Sequence, residues 1–121
     1  TGFYEAPFIF TKINDDLNGS KINFINGWKS DIQASDEKGK FIYLIAEFGS
    51  LKSDPKQGVT IVRKVDYKSG KTITENQFLT PSKHGQIKAT DFDAFKIGVT
   101  AKDGYKWIFD IFDGYREINS P

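Results

Sequence analysis

Phe41-Ile42-Tyr43-Leu44-Ile45-Ala46-Glu47-Phe48 is apolar at every position except Glu47. A short run that is apolar on both alternating faces reads as a central β-strand covered on two sides. Downstream, Val59 to Tyr67 alternates Val59, Ile61, Val65 and Tyr67 against Thr60, Lys64 and Asp66. Lys68-Ser69-Gly70 closes it into a hairpin with Lys71–Leu79, the clearest two-faced element of the chain.

Similar runs fill the sequence on either side. Tyr4–Ile13 reads as a strand that Pro7 places at a sheet edge or bends, because proline cannot donate to a ladder. Ser20–Asn26 returns from the Asn14–Gly19 turn, and Asn26-Gly27 is expected to break it before Trp28. Asp31 to Ser35 continues as a short extension. Gln86–Ala89, Phe95–Val99, Tyr105–Phe112 and Tyr115–Ile118 complete the set. Thr90-Asp91-Phe92-Asp93 fits one capped helical turn or the start of a strand equally well. Asn18-Gly19, Lys38-Gly39, Ser69-Gly70, Asp103-Gly104 and Asp113-Gly114 are the turns, each offering a residue that accepts positive φ.

The chain has 121 residues, enough for one domain with a real core and too few for two. Seventeen Lys and Arg against sixteen Asp and Glu give a net charge of +1, a poor basis for duplex nucleic-acid binding. With no Cys, disulfides, thiolate metal sites and cysteine nucleophiles are excluded. No apolar run reaches the ~18–20 residues that span a bilayer. The chain starts at Thr1 rather than Met, which leaves room for a removed signal peptide or larger flank, so the absence of a targeting segment does not argue for the cytoplasm; a secreted, periplasmic or cell-surface location is the expectation. Eleven Phe, five Tyr and two Trp supply most of the expected core, since aromatic side chains are strand formers and large burial units.

Chemistry-bearing clusters are sparse. His84 is the single histidine, in a Pro-Ser-Lys-His-Gly loop, and its default reading is a solvated loop residue. Glu47, Asp110, Asp113 and Glu117 are the candidate carboxylates. Glu47 reads as an end-of-strand residue facing solvent, and Asp110 as outward by alternation. Asn14–Gly19 has the oxygen density of a calcium loop but lacks the EF-hand Glu at the twelfth position. Lys52, Lys56, Arg63, Lys64, Lys68 and Lys71 make the most positive stretch, yet Tyr67 is its single aromatic, which disfavours single-stranded nucleic acid. Trp28, Tyr43, Tyr67, Tyr105, Trp107 and Tyr115 could stack on a sugar or anchor a protein contact. Trp28 stands out because its polar, turn-like neighbours do not suggest a core position.

These readings predict one all-β domain over residues 1–121, an antiparallel two-sheet β-sandwich, with a small up-and-down β-barrel as the alternative. The expected role is a non-catalytic accessory or recognition module that binds a protein or glycan. Trp28, Lys64, Tyr67, Lys68 and Tyr115 are the candidate contact residues. No cofactor, metal or catalytic residue is expected. Two rival roles are a structural subunit of a surface, secretion or phage assembly and a barrel that holds a small apolar ligand.

Overall fold

A computed structural model describes residues 10–17, 19, 21–34, 39–93 and 96–117. Ten strands form two antiparallel sheets. The first sheet holds β1 (Phe10–Ile13), β2 (Asn23–Ser30), β3 (Gln33–Ala34), β4 (Phe41–Ser50), β5 (Gly58–Asp66) and β6 (Thr72–Leu79). The second holds β7 (Ile87–Asp93), β8 (Lys96–Ala101), β9 (Lys106–Asp110) and β10 (Gly114–Glu117). Neighbours follow the chain, β1-β2-β4-β5-β6 in one sheet and β10-β9-β8-β7 in the other, with β3 beside β2 against β4. Short Gly turns make this the natural order. All five predicted turn glycines have positive φ, between 69° and 96°. The two sheets stack as a sandwich and do not close into one barrel. None of the described residues belongs to a helix long and apolar enough to cross a membrane.

The expected central strand is β4, with β2 and β3 on one side and β5 on the other. Its Ile42, Leu44, Ala46 and Phe48 join Trp28 and Val62 against Ile87, Ala89, Ile97, Val99, Trp107 and Phe109 of the second sheet. Phe109 meets Phe48 edge-on, with ring centroids 5.8 Å apart, and Phe78 at 5.3 Å. Each such side chain contributes roughly 1.5–3 kcal/mol on full burial. This filled layer occupies the space that a ligand-holding barrel would leave open. On the opposite face of β4, Ile45 and Glu47 are also buried, and Ile22, Val59 and Ile61 form a second small apolar cluster on that side.

Two local expectations change. β2 does not break at Asn26-Gly27; it runs through to Ser30, with a bulge between Phe24 and Asn26. Gly27 sits there because a Cβ would lie 2.7 Å from the Ala46 carbonyl oxygen and 2.8 Å from the Ile13 side chain. Trp28 is consequently a strand residue, fully buried, with its ring stacked on Phe10 at 5.7 Å. Of the two readings for Thr90–Asp93, the strand holds, as β7 continues to Asp93 with a bulge between Ala89 and Asp91. Most of the predicted Tyr4–Ile13 strand, Pro7 included, lies outside the described residues.

One side chain ties the sheets together. Asn26 on β2 is buried, and its amide clasps the backbone of Ala89 on β7. Asn26 Nδ2 donates to the Ala89 carbonyl at 2.9 Å, and the Ala89 N–H donates to Asn26 Oδ1 at 2.9 Å. β7 is an edge of the second sheet, so the amide stands in for the missing neighbour strand.

Candidate recognition surface

The outer face of the first sheet, away from the second, carries the residues of most interest. One end of it is covered. The loop between β1 and β2 crosses β4 and β5 and is gripped there at Leu17. The Leu17 N–H donates to Glu47 Oε2 at 2.8 Å, and Arg63 Nη2 donates to the Leu17 carbonyl at 2.8 Å. Arg63 Nη1 also donates to Thr72 Oγ1 at 3.0 Å. Glu47 is fully buried, not solvent-facing, and its second oxygen, Oε1, has no hydrogen-bond partner among the described residues. Burial pushes its pKa from 4.5 up to about 7; the Leu17 N–H and Arg63 oppose this, and the Asp16 carboxyl adds to it. The acidic turn thus supplies Asp16 to a buried cluster, while Asn18 lies outside the described residues.

The other end of the same face is open. Lys29, Ser30, Asp31 and Ile32 from the end of β2 face Tyr43 of β4 and Tyr67 beyond β5 across a cleft of about 480 Å³. Tyr67 is 54% exposed and Ile32 45%. Alternation along β4 sets Tyr43 opposite the buried Ile42 and Leu44. Lys29 Nζ stands 4.9 Å from the centre of the Tyr43 ring, a cation–π contact. The frame beneath is firm. The Leu44 N–H donates to Ser30 Oγ at 2.8 Å, and Ser30 Oγ donates to the Asp31 carbonyl at 2.8 Å, which directs Asp31 and Ile32 to the rim. The Tyr67 N–H donates to the Phe41 carbonyl at 2.8 Å, and Asp66 Oδ1 accepts from the Lys68 N–H at 2.9 Å. Two phenol rings, an ammonium and a carboxylate therefore converge on a concave, water-accessible patch.

The structure separates the residues expected to make contacts. Tyr67 lines the cleft, and Lys68 is exposed beside it in the β5–β6 turn. Lys64 is half-buried within β5. Trp28 is core. Tyr115 also packs inward, its ring 4.9 Å from Phe109 and its hydroxyl hydrogen-bonded to Thr60, and burial holds its pKa above the usual phenol range. Neither ring can reach a partner, because the second sheet or its edge covers it. Lys29, Asp31 and Ile32 were missed. They are unremarkable in sequence and gain meaning through the β2–β4–β5 register. The positive stretch is dispersed too, since Arg63 is taken up by Leu17 and Thr72.

The remaining candidates are structural fasteners. His84 is not a solvated loop residue. Its Nδ1 lies 2.7 Å from Asp103 Oδ2 and its Nε2 3.1 Å from Ser82 Oγ, while its ring stacks on Tyr105 at 4.0 Å. This staples the Thr80–Gly85 loop to the β8–β9 turn. Asp110 does not face outward. It is buried, and its Oδ1 accepts from the N–H groups of Phe112 at 2.8 Å and Asp113 at 3.1 Å, closing the turn into β10. Asp113 is exposed and lies 3.7 Å from Arg116; the Glu117 side chain lies outside the described residues.

Fold and surface together define a class: an antiparallel two-sheet sandwich with an aromatic cleft on the outer face of its larger sheet. No family model, curated protein or solved structure matches the chain.

Proposed function

We propose that this domain is a non-catalytic recognition module that binds a carbohydrate chain in the Tyr43–Tyr67 cleft. The supporting observation is the exposure of Tyr67 and Ile32 at a concave site with a cation and a carboxylate on its rim. Trp28, Phe48, Trp107 and Phe109 are, by contrast, fully buried. Flat aromatic faces present apolar area at low entropic cost, which suits the C–H face of a sugar ring. Lys29 donates to ring hydroxyls, and Asp31 accepts from them.

Calorimetric titration against a broad oligosaccharide panel tests the proposal, paired with Tyr67→Ala and Tyr43→Ala. Both tryptophans are fully buried, so intrinsic fluorescence is a poor reporter of this cleft. A ligand whose binding weakens at least tenfold in each variant supports the reading. Silence across the panel, or binding that ignores both substitutions, defeats it.

A further inference from the structure

The two sheets have four edges, and three of them are defended. Among the described residues, β1 carries Lys12 and β10 carries Arg116. β7 is bulged and has its backbone taken by Asn26. Short edges, charges, bulges and cover are the usual protections against unwanted pairing. β6 has little of this. It is eight residues long, Thr72-Ile73-Thr74-Glu75-Asn76-Gln77-Phe78-Leu79, without Lys, Arg or Pro, and its one bulge is at its start. Its only charge, Glu75, is held by Lys21 at 3.0 Å.

The direction of its free backbone groups follows from the ladder. The Thr80 N–H donates to the Gly58 carbonyl at 3.0 Å, so even-numbered residues of β6 point their N–H and C=O toward β5. Glu75, Gln77 and Leu79 therefore point theirs outward. Among the described residues, nothing bonds to them. Leu79 is 48% exposed at the end of this bare edge.

We propose that β6 pairs antiparallel with β6 of a second copy of this chain, on a two-fold axis through Asn76. Two-fold antiparallel pairing requires one residue to face its own copy. An axis at Glu75 would oppose two carboxylates, which is destabilising. An axis at Gln77 shortens the ladder, because it draws in Thr80, which is buried and bonded to Gln57 and Ser82. The axis at Asn76 sets Glu75 opposite Gln77 of the second copy, so their outward N–H and C=O groups bond reciprocally. The occupant is a second copy because this register is self-complementary in backbone bonding and sets no carboxylate against another.

An axis normal to the sheet keeps both outer faces on one side. The two Tyr43–Tyr67 clefts then face the same way, roughly 35 Å apart from strand spacing and rise. If the carbohydrate reading holds, the dimer is bivalent, and a long ligand gains avidity without any new contact. The pairing itself does not depend on that reading.

Sedimentation velocity over about 1 µM to 1 mM tests it, a range suited to a small edge-to-edge contact. The expected result is a rise from 13.7 kDa toward twice that mass. Asn76→Lys and Asn76→Glu place like charges face to face at an exposed position, and each variant stays at 13.7 kDa. Mixed in equal amounts, the two recover the doubled mass. A native chain that remains monomeric throughout overturns the proposal. So does a dimer indifferent to Asn76→Lys, or a Lys–Glu mixture that stays monomeric.

Discussion

Replacing Asn26 by Ala should be among the most damaging single changes outside the aromatic core. The substitution deletes two buried hydrogen bonds of 2.9 Å and leaves both backbone groups of Ala89 without a partner. Each bond is worth about 1 kcal/mol net, and a buried orphaned group costs about 1–3 kcal/mol. The expected loss is about 3 kcal/mol, a large share of the ~5–15 kcal/mol that stabilises a typical domain. Urea denaturation reads it as a lower midpoint at constant slope. Asn26→Asp refines the test, since the shape is conserved and only the donor is lost. The carboxylate still accepts from the Ala89 N–H but lies against the Ala89 carbonyl. Protonation restores a donor, so the folded-state pKa rises above the unfolded value of about 3.9. The contribution of the protonated form is full below that value and is lost as pH rises through the folded pKa. The Asp variant should therefore approach the native chain in stability near pH 4 and fall behind at pH 7. Glu47 titrates in both proteins and cancels in the difference. An Ala variant within about 0.5 kcal/mol of the native chain, the range of ordinary surface changes, or an Asp penalty that is flat with pH, would refute the clasp.

Glu47 itself should give the native chain a stability that declines as pH rises from about 4.5 through 7. Its folded pKa of about 7 exceeds 4.5, so the stabilisation is complete below 4.5 and lost as pH rises through 7. The total is at most about 3 kcal/mol, and Glu47→Gln should flatten the profile of unfolding free energy between pH 5 and 8. Trp28→Ala should cost about 3–5 kcal/mol, whereas Tyr67→Ala should change stability by less than about 0.5 kcal/mol; equal losses in thermal melts would contradict the assignment of one to core and the other to surface. Gly27→Ala should cost about 1–3 kcal/mol, because its new methyl meets the Ala46 carbonyl at 2.7 Å on a central strand that cannot easily retreat. A variant that melts with the native chain would show that β2 can draw away from β4 and β1 without penalty.

What could be read in advance was local. Alternation and turn chemistry act over a few residues, so Phe41–Phe48, the Val59–Leu79 hairpin and the turn glycines were visible directly. Errors arose where the cause lay far along the chain. Asn26-Gly27 looks like a turn because its partners are distant: Ala89 for the amide, Ala46 and Ile13 for the missing Cβ. Once that turn is assumed, Trp28 becomes a surface residue by implication. Asp110 alternates with apolar neighbours as an outward residue would, but the chain bends just after it and recruits the carboxylate to bind its own amides. The cleft was half legible. Tyr43 and Tyr67 were visible as candidate aromatics, while Lys29, Asp31 and Ile32 gain their roles through strand register, which periodicity does not encode.

The grip on the β1–β2 loop has a practical corollary. Glu47 and Arg63 hold Leu17 by its amide and carbonyl, and its side chain is 43% exposed. The fastening is thus blind to which amino acid occupies position 17, provided it keeps its N–H. Residue 17 can be randomised, proline excepted, while its main chain stays anchored to the sheet. That makes the loop a graft point, where a short foreign epitope could be displayed in a fixed pose.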